Sequence, residues 1–244
     1  MRSLTAHELL DVWEAGAAQS LAQRVLLLLA VANPDRSYEA LARQPLGQRD
    51  AQLLTLREWL FGAQLISVAS CPNCGERLQL TLNTRELLTE TQSAPETIAL
   101  NVNDYTIHYR LPASIDLFAL AQCKTVADNQ QLLLQRCVQT ITRADQAQPI
   151  ETVPVTVIEA IEAHMAQADP QADIQLDLDC PTCQYHWLAA FDIAAFLWKE
   201  IDSWARRIVG DIHVIASVYG WSEADILSLS ASRRQMYLDL IGNV

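Results

Sequence analysis

The chain has 244 residues, half of them apolar and about a fifth charged, which is enough to bury a sizeable core as one large domain or two small ones. Its formal charge of −12, with only two lysines among 17 basic residues, argues against nucleic acid or an anionic membrane surface as partner, since both reward clustered cations. The opening MRSLTAHELLDVWEAG is no signal peptide, and the longest apolar run, VLLLLAVA at 25–32, is far short of the roughly 20 residues a bilayer span needs. A cytoplasmic protein is expected, in a compartment where cysteines serve as ligands or buried thiols more often than as disulfides.

Glycine is scarce at 7 residues, while Leu, Ala and Gln abound, which tips the balance toward helix. Residues 5–62 read as several short helices punctuated by Pro34 and Pro45, with Leu53, Leu56 and Leu60 at helical spacing. The period then drops to two. Leu78, Leu80 and Leu82 alternate with polar residues, as do Ile98, Leu100 and Val102, and then Tyr105, Ile107, Tyr109 and Leu111. Asn103-Asp104 between the last two runs predicts a two-residue hairpin turn.

Helices are expected at 114–126 and 128–141, a loop over RADQAQPIE, and a helix at about 154–167 ending before Asp169-Pro170. Ile174, Leu176 and Leu178 alternate again, as do Tyr185, Trp187, Ala189 and Phe191. From 193 to 241 the chain reads as helical, with Gly220 placed to end one helix and Ser222 and Ser232 placed to cap the next two. The fold class is α+β and predominantly helical. Its expected segments are an N-terminal helical region (1–65), a hairpin, short helix and second hairpin (66–111), middle helices (112–172), a further hairpin (173–192) and a long helix with two short ones (193–244). Together they are expected to form one compact unit.

Two C-x-x-C pairs, Cys71/Cys74 and Cys180/Cys183, sit at the tips between alternating runs. This is the position of a zinc knuckle, and four thiolates satisfy tetrahedral Zn²⁺ completely. We therefore expect one structural Zn²⁺ per chain, held by two β-hairpin zinc knuckles that form a split, four-cysteine zinc-ribbon-like unit. Gly75 suits the tight turn of the first knuckle, whereas the second has Gln184 there. Asn83 lies nine residues after Cys74 and Asp192 nine after Cys183, both good helix N-caps, so each half reads as strand, knuckle, strand, cap and helix. Glu86 can close a capping box with Asn83. A C-P-x-C redox dithiol is the alternative, but that motif opens a helix, and strand-like residues follow both pairs here. His186 reads as a packing residue, and Cys123 and Cys137 as core thiols on helices.

Nothing else in the chain suggests catalysis. HELLDVWE lacks the second histidine of a zincin helix, and there is no glycine-rich phosphate loop and no G-x-S-x-G elbow. No enzyme and no small-molecule substrate are expected. Ala194, Trp198, Ile201, Ala205, Ile208, Ile212, Ile215 and Tyr219 follow heptad spacing, a seam expected to lie against the N-terminal helices of the same chain. Trp13, Trp59 and Trp204 are read as core for the same reason.

The segment FDIAAFLWKEIDSWARRIVGDIHVIASVYGWSEADILSLSASRRQMYLDLI resembles the C-terminal signature of baseplate proteins from contractile phage tails and phage-tail-like injection systems. LPASIDLFALAQ with LLLQRCVQ resembles the middle of the same T-even-type family, and CPNCGERLQL and LDCPTCQYHWLAAFDI resemble its cysteine knuckles. The resemblance runs from about residue 5 to 241. It implies a non-enzymatic protein that helps build a baseplate or hub, as an assembly chaperone or as a minor component of the particle, with baseplate or hub subunits as partners. Tyr219, Trp221, Arg233 and Arg234 are the partner contacts it suggests; helix-end packing and capping account for the same residues equally well. The other readings are a dithiol oxidoreductase and a zinc-ribbon adaptor unrelated to baseplates.

Overall fold

The computed structural model describes residues 1–89 and 95–242, so residues 90–94 of the expected first hairpin region and the last two residues of the C-terminal segment lie outside the described residues. The chain runs through helices α1 (Ala6–Ala15), α2 (Leu21–Ala32), α3 (Tyr38–Arg43) and α4 (Leu46–Phe61). Strands β1 (Gln64–Ser70) and β2 (Arg77–Asn83) follow, then α5 (Thr84–Leu87), β3 (Ile98–Val102) and β4 (Tyr105–Tyr109). Next come α6 (Ser114–Leu120), α7 (Val126–Cys137), β5 (Val138–Arg143), β6 (Gln146–Ala147) and α8 (Val155–Ala168). Strands β7 (Ile174–Asp179) and β8 (His186–Phe191) lead into α9 (Ile193–Tyr219), α10 (Glu223–Ser228) and α11 (Ala231–Gly242). The α+β class read from the sequence holds. By its contacts the chain divides into two compact units, residues 37–193 and a second unit made of residues 1–36 with the segment from Ala194 onward.

The split unit is helical. Its first helices start at capping boxes, Thr5 with Glu8 on α1 and Ser20 with Gln23 on α2, each satisfying N–H groups that an unguarded helix end leaves unpaired. Leu10 of α1 meets Ala205 and Ile208 of α9 and Leu227 of α10, with Ala6, Trp13, Trp204 and Ile212 around them. The heptad seam therefore lies against the N-terminal helices, as its spacing predicts. Ala194, Trp198, Ile201, Ala205, Ile208 and Ile215 are buried, Ile212 is half-buried, and Tyr219 at the end is 38% exposed. Gly220, at φ +66, closes α9 by returning its N–H to Ala216 O at 2.9 Å. Ser222 caps α10, but α11 is capped by Ser230, whose Oγ accepts the Arg233 N–H at 3.3 Å, and not by Ser232.

The continuous unit carries an antiparallel sheet of order β3-β4-β5-β6 covered by α7 and α8. Ile107, Tyr109, Ile141, Cys137, Val157 and Ile161 form the centre of its core. Val102 pairs with Tyr105 across the Asn103-Asp104 turn, with Asn103 at φ 52 as a tight hairpin requires. Four sequence readings change here. Residues 138–141 are not the end of a helix but the start of β5; the helix stops at Cys137, where Val-Gln-Thr-Ile-Thr brings β-branched residues at strand period. RADQAQPIE is not a plain loop: Ala144 and Asp145 turn at φ 47 and 61 into β6. The break between α6 and α7 spans 121–125, so Cys123 lies half-exposed in a connection while Cys137 is fully buried. Trp59 is also no core residue at 47% exposed, because α4 buries Leu53, Leu54 and Leu56 on its other side.

Two further two-stranded sheets, β1–β2 and β7–β8, complete this unit. Between α4 and the turn after α8, Gly47 donates its N–H to Asp169 Oδ2 at 2.9 Å. The approach is so close that a Cβ on residue 47 would lie 1.8 Å from Asp169 Oδ1.

Candidate metal centre

Each small sheet is a hairpin with a C-x-x-C pair at its tip. In the first, Ser70 pairs with Arg77, the Cys71 N–H reaches Glu76 O at 2.8 Å, and the Gly75 N–H returns to Cys71 O at 2.9 Å. In the second, Asp179 pairs with His186, the Cys180 N–H reaches Tyr185 O at 2.9 Å, and the Gln184 N–H returns to Cys180 O at 2.8 Å. The two turns are the same turn. Aligning Cys71 with Cys180 aligns Gly75, at φ 76, with Gln184, at φ 58, so the glutamine takes the left-handed conformation that its partner takes without a Cβ. The alignment continues through β2 and β8 to Asn83, which caps α5 in a box with Glu86, and to Asp192, which directly precedes α9.

The two tips bring all four sulfurs within 4.8 Å of one another. Two close approaches cross between hairpins: Cys71 Sγ to Cys183 Sγ and Cys74 Sγ to Cys180 Sγ are each 3.6 Å. A tetrahedral ion with metal–sulfur bonds of about 2.3 Å sets its sulfurs roughly 3.8 Å apart, so the spacing fits a single four-thiolate ion. Cys71 and Cys180 are buried, Cys183 is half-buried and Cys74 is exposed. The donors around the sulfurs divide them. The Asn73 side-chain amide, at 3.4 Å, and the Tyr185 backbone N–H hold the Cys183 thiol down at about 6. Cys74 receives the Glu76 N–H, yet Cys183, burial and the other two sulfurs push it up to about 12. Four sulfurs crowded this closely share protons that a thiophilic cation displaces. Such a group can hold a metal ion and needs no further ligand.

His186, read as packing, is instead exposed on β8, 3.2 Å from a carboxylate oxygen of both Asp177 and Asp179, and takes no part in the cluster. The candidate contacts lie in the split unit. Tyr219 stacks on Trp221 at 5.0 Å between centroids, and the edge of Tyr237 meets Trp221 at 4.8 Å. Arg233 is exposed, whereas Arg234 is 7% exposed and donates to Leu229 O.

A second polar cluster escaped the sequence reading. The Asp116 carboxylate is fully buried and accepts two hydrogen bonds from Arg110 at 2.7 and 2.8 Å, one from Arg136 Nε at 2.8 Å and one from the Ala113 N–H at 2.9 Å. Burial opposes the charge, but Arg110, the Ala113 N–H and Arg136 together hold the carboxyl below its ordinary range. Asp116 lies in LPASIDLFALAQ and Arg136 in LLLQRCVQ, blocks read together for their resemblance alone, and the fold joins them through this carboxylate.

Comparison with curated proteins and with solved structures yields no match. A family model does match, over residues 27–198, a span that holds both cysteine pairs and the Asp116 cluster and leaves Tyr219, Trp221, Arg233 and Arg234 outside it. The matched span covers well over half of the chain, which therefore belongs to the family described as T4 bacteriophage base plate protein.

Proposed function

We propose that this chain is a non-enzymatic assembly protein of the baseplate or hub of a contractile, phage-tail-like particle, stabilised by one structural Zn²⁺ on Cys71, Cys74, Cys180 and Cys183. The observation that carries the reading is family membership joined to a four-sulfur cluster at the tips of two hairpins. Four thiolates leave no ligand position for water or substrate, so the ion's binding energy goes into folding and not into chemistry. Strands β2 and β8, not helices, follow the cysteine pairs, which removes the helix N-terminus that activates a redox dithiol. Cytoplasmic residence suits a protein that acts where particles are assembled; no helix among the described residues is long and apolar enough to cross a membrane.

Baseplate or hub subunits are the proposed partners. Tyr219, Trp221 and Arg233 make the contact, and Arg234 holds the chain before α11 through Leu229 O. Contractile particles purified from cells expressing a tagged chain test the reading. Co-sedimentation at fixed stoichiometry identifies a particle component. A soluble chain whose deletion abolishes particles identifies an assembly chaperone. Normal particles that lack the chain and form without it overturn the proposal.

A further inference from the structure

Within the helical unit, α1, α2 and α9 enclose a groove of about 590 Å³ lined by Trp13, Arg24, Trp198, Lys199, Asp202 and Arg206. Asp202 is fully engaged: it accepts the Trp13 indole N–H at 2.9 Å and Arg206 Nε at 2.9 Å. Arg24 shares the field of that carboxylate, and Lys199 has no carboxylate of its own among the described residues. Arg24 lies 5.0 Å from the centre of the Trp198 ring and donates to the Gly16 and Ala17 carbonyls, contacts that orient a guanidinium but do not neutralise it. Lys199, one of two lysines in the chain, is exposed, and its side chain makes no hydrogen bond or ion pair among the described residues.

In a chain of charge −12, arginines such as Arg2, Arg43, Arg49, Arg110 and Arg143 each face a carboxylate. The groove sets three cations, Arg24, Lys199 and Arg206, against the one carboxylate of Asp202, a local reversal of sign. We propose that this groove docks an acidic segment of a protein partner, its carboxylates meeting Arg24 and Lys199 while a neighbouring apolar side chain rests on Trp13. Charge complementarity selects the occupant. A nucleic acid needs a row of cations along its phosphates, and the acidic remainder of the chain would repel it. The proposal stands on the groove alone and is independent of the assembly reading.

The test uses the full-length chain with ¹⁵N-labelled tryptophan and the peptide acetyl-Glu-Glu-Phe-Glu-Glu-amide, with the glutamine counterpart as charge control. The acidic peptide should shift the Trp13 and Trp198 indole signals saturably, and the control should not. Lys199→Glu, which breaks no hydrogen bond or ion pair among the described residues, should weaken binding by about tenfold or more. Equal shifts from both peptides, or unchanged affinity in Lys199→Glu, overturn the proposal. So does displacement of the peptide by oligodeoxythymidylate, or a sedimenting dimer that Lys199→Glu dissolves, which assigns the face to a second copy.

Discussion

Gln184 and Gly75 hold one backbone conformation with two different side chains, which isolates the cost of a Cβ in a left-handed turn. That cost is about 1 kcal/mol, so Gln184→Gly should raise stability by somewhat less than this, since glycine gives some of it back as unfolded-state entropy, and Gly75→Ala should lower it by a similar amount. Denaturant titration of the metal-loaded chain measures both. Asp116 is a different case, a buried charge with every partner in place. Asp116→Ala leaves Arg110 and Arg136 without it and should cost about 3 kcal/mol, read as a large drop in Tm. Asp50 behaves in the opposite sense. It is buried in α4, and although Arg49 lies at 2.7 Å, burial chiefly, with help from Asp192 and Asp169, pushes its carboxyl up from 3.8 to about 6. A folded-state value above the unfolded one means that its contribution is present in full below about pH 4 and is lost as pH rises through about 6. The loss is at most about 3 kcal/mol. Stability measured between these limits should fall with pH, and Asp50→Asn should flatten the slope.

At the scale of elements, the hairpins were legible because two signals coincided: a two-residue apolar period and a C-x-x-C pair at each tip. The α9 seam was legible for the same kind of reason, a heptad register kept from Ala194 to Ile215. β5 was not, since the apolar spacing of α7 runs on into Val138 and Ile141 and only the β-branched composition marks the change. Trp59 was misplaced because helical period says which residues share a face but not which face is covered. The Asp116 cluster depends on Arg110, Asp116 and Arg136 meeting across two connections, and a one-dimensional pattern does not encode that meeting. A two-stranded hairpin is marginal by itself. β1–β2 and β7–β8 should therefore depend on the cysteine cluster far more than the four-stranded sheet does. In Cys180→Ser, hydrogen exchange should speed up across both hairpins while amides of β4 and β5 keep their protection. Uniform loss of protection would show that the cluster holds the entire fold.

At the scale of the molecule, the four sulfurs join segments more than a hundred residues apart in sequence, from about residue 64 to 83 and from 174 to 191. The family match spans both, while the groove lined by Trp13, Arg24 and Lys199 falls almost wholly outside it. One structural Zn²⁺ on these four sulfurs is the core of the proposed function. Zinc content and thiol reactivity of the purified chain, read together by native mass spectrometry, test it most directly. One Zn²⁺ per chain is expected, with Cys71, Cys74, Cys180 and Cys183 protected from alkylation until a chelator removes the metal. A folded, metal-free chain whose four cysteines alkylate freely would contradict it.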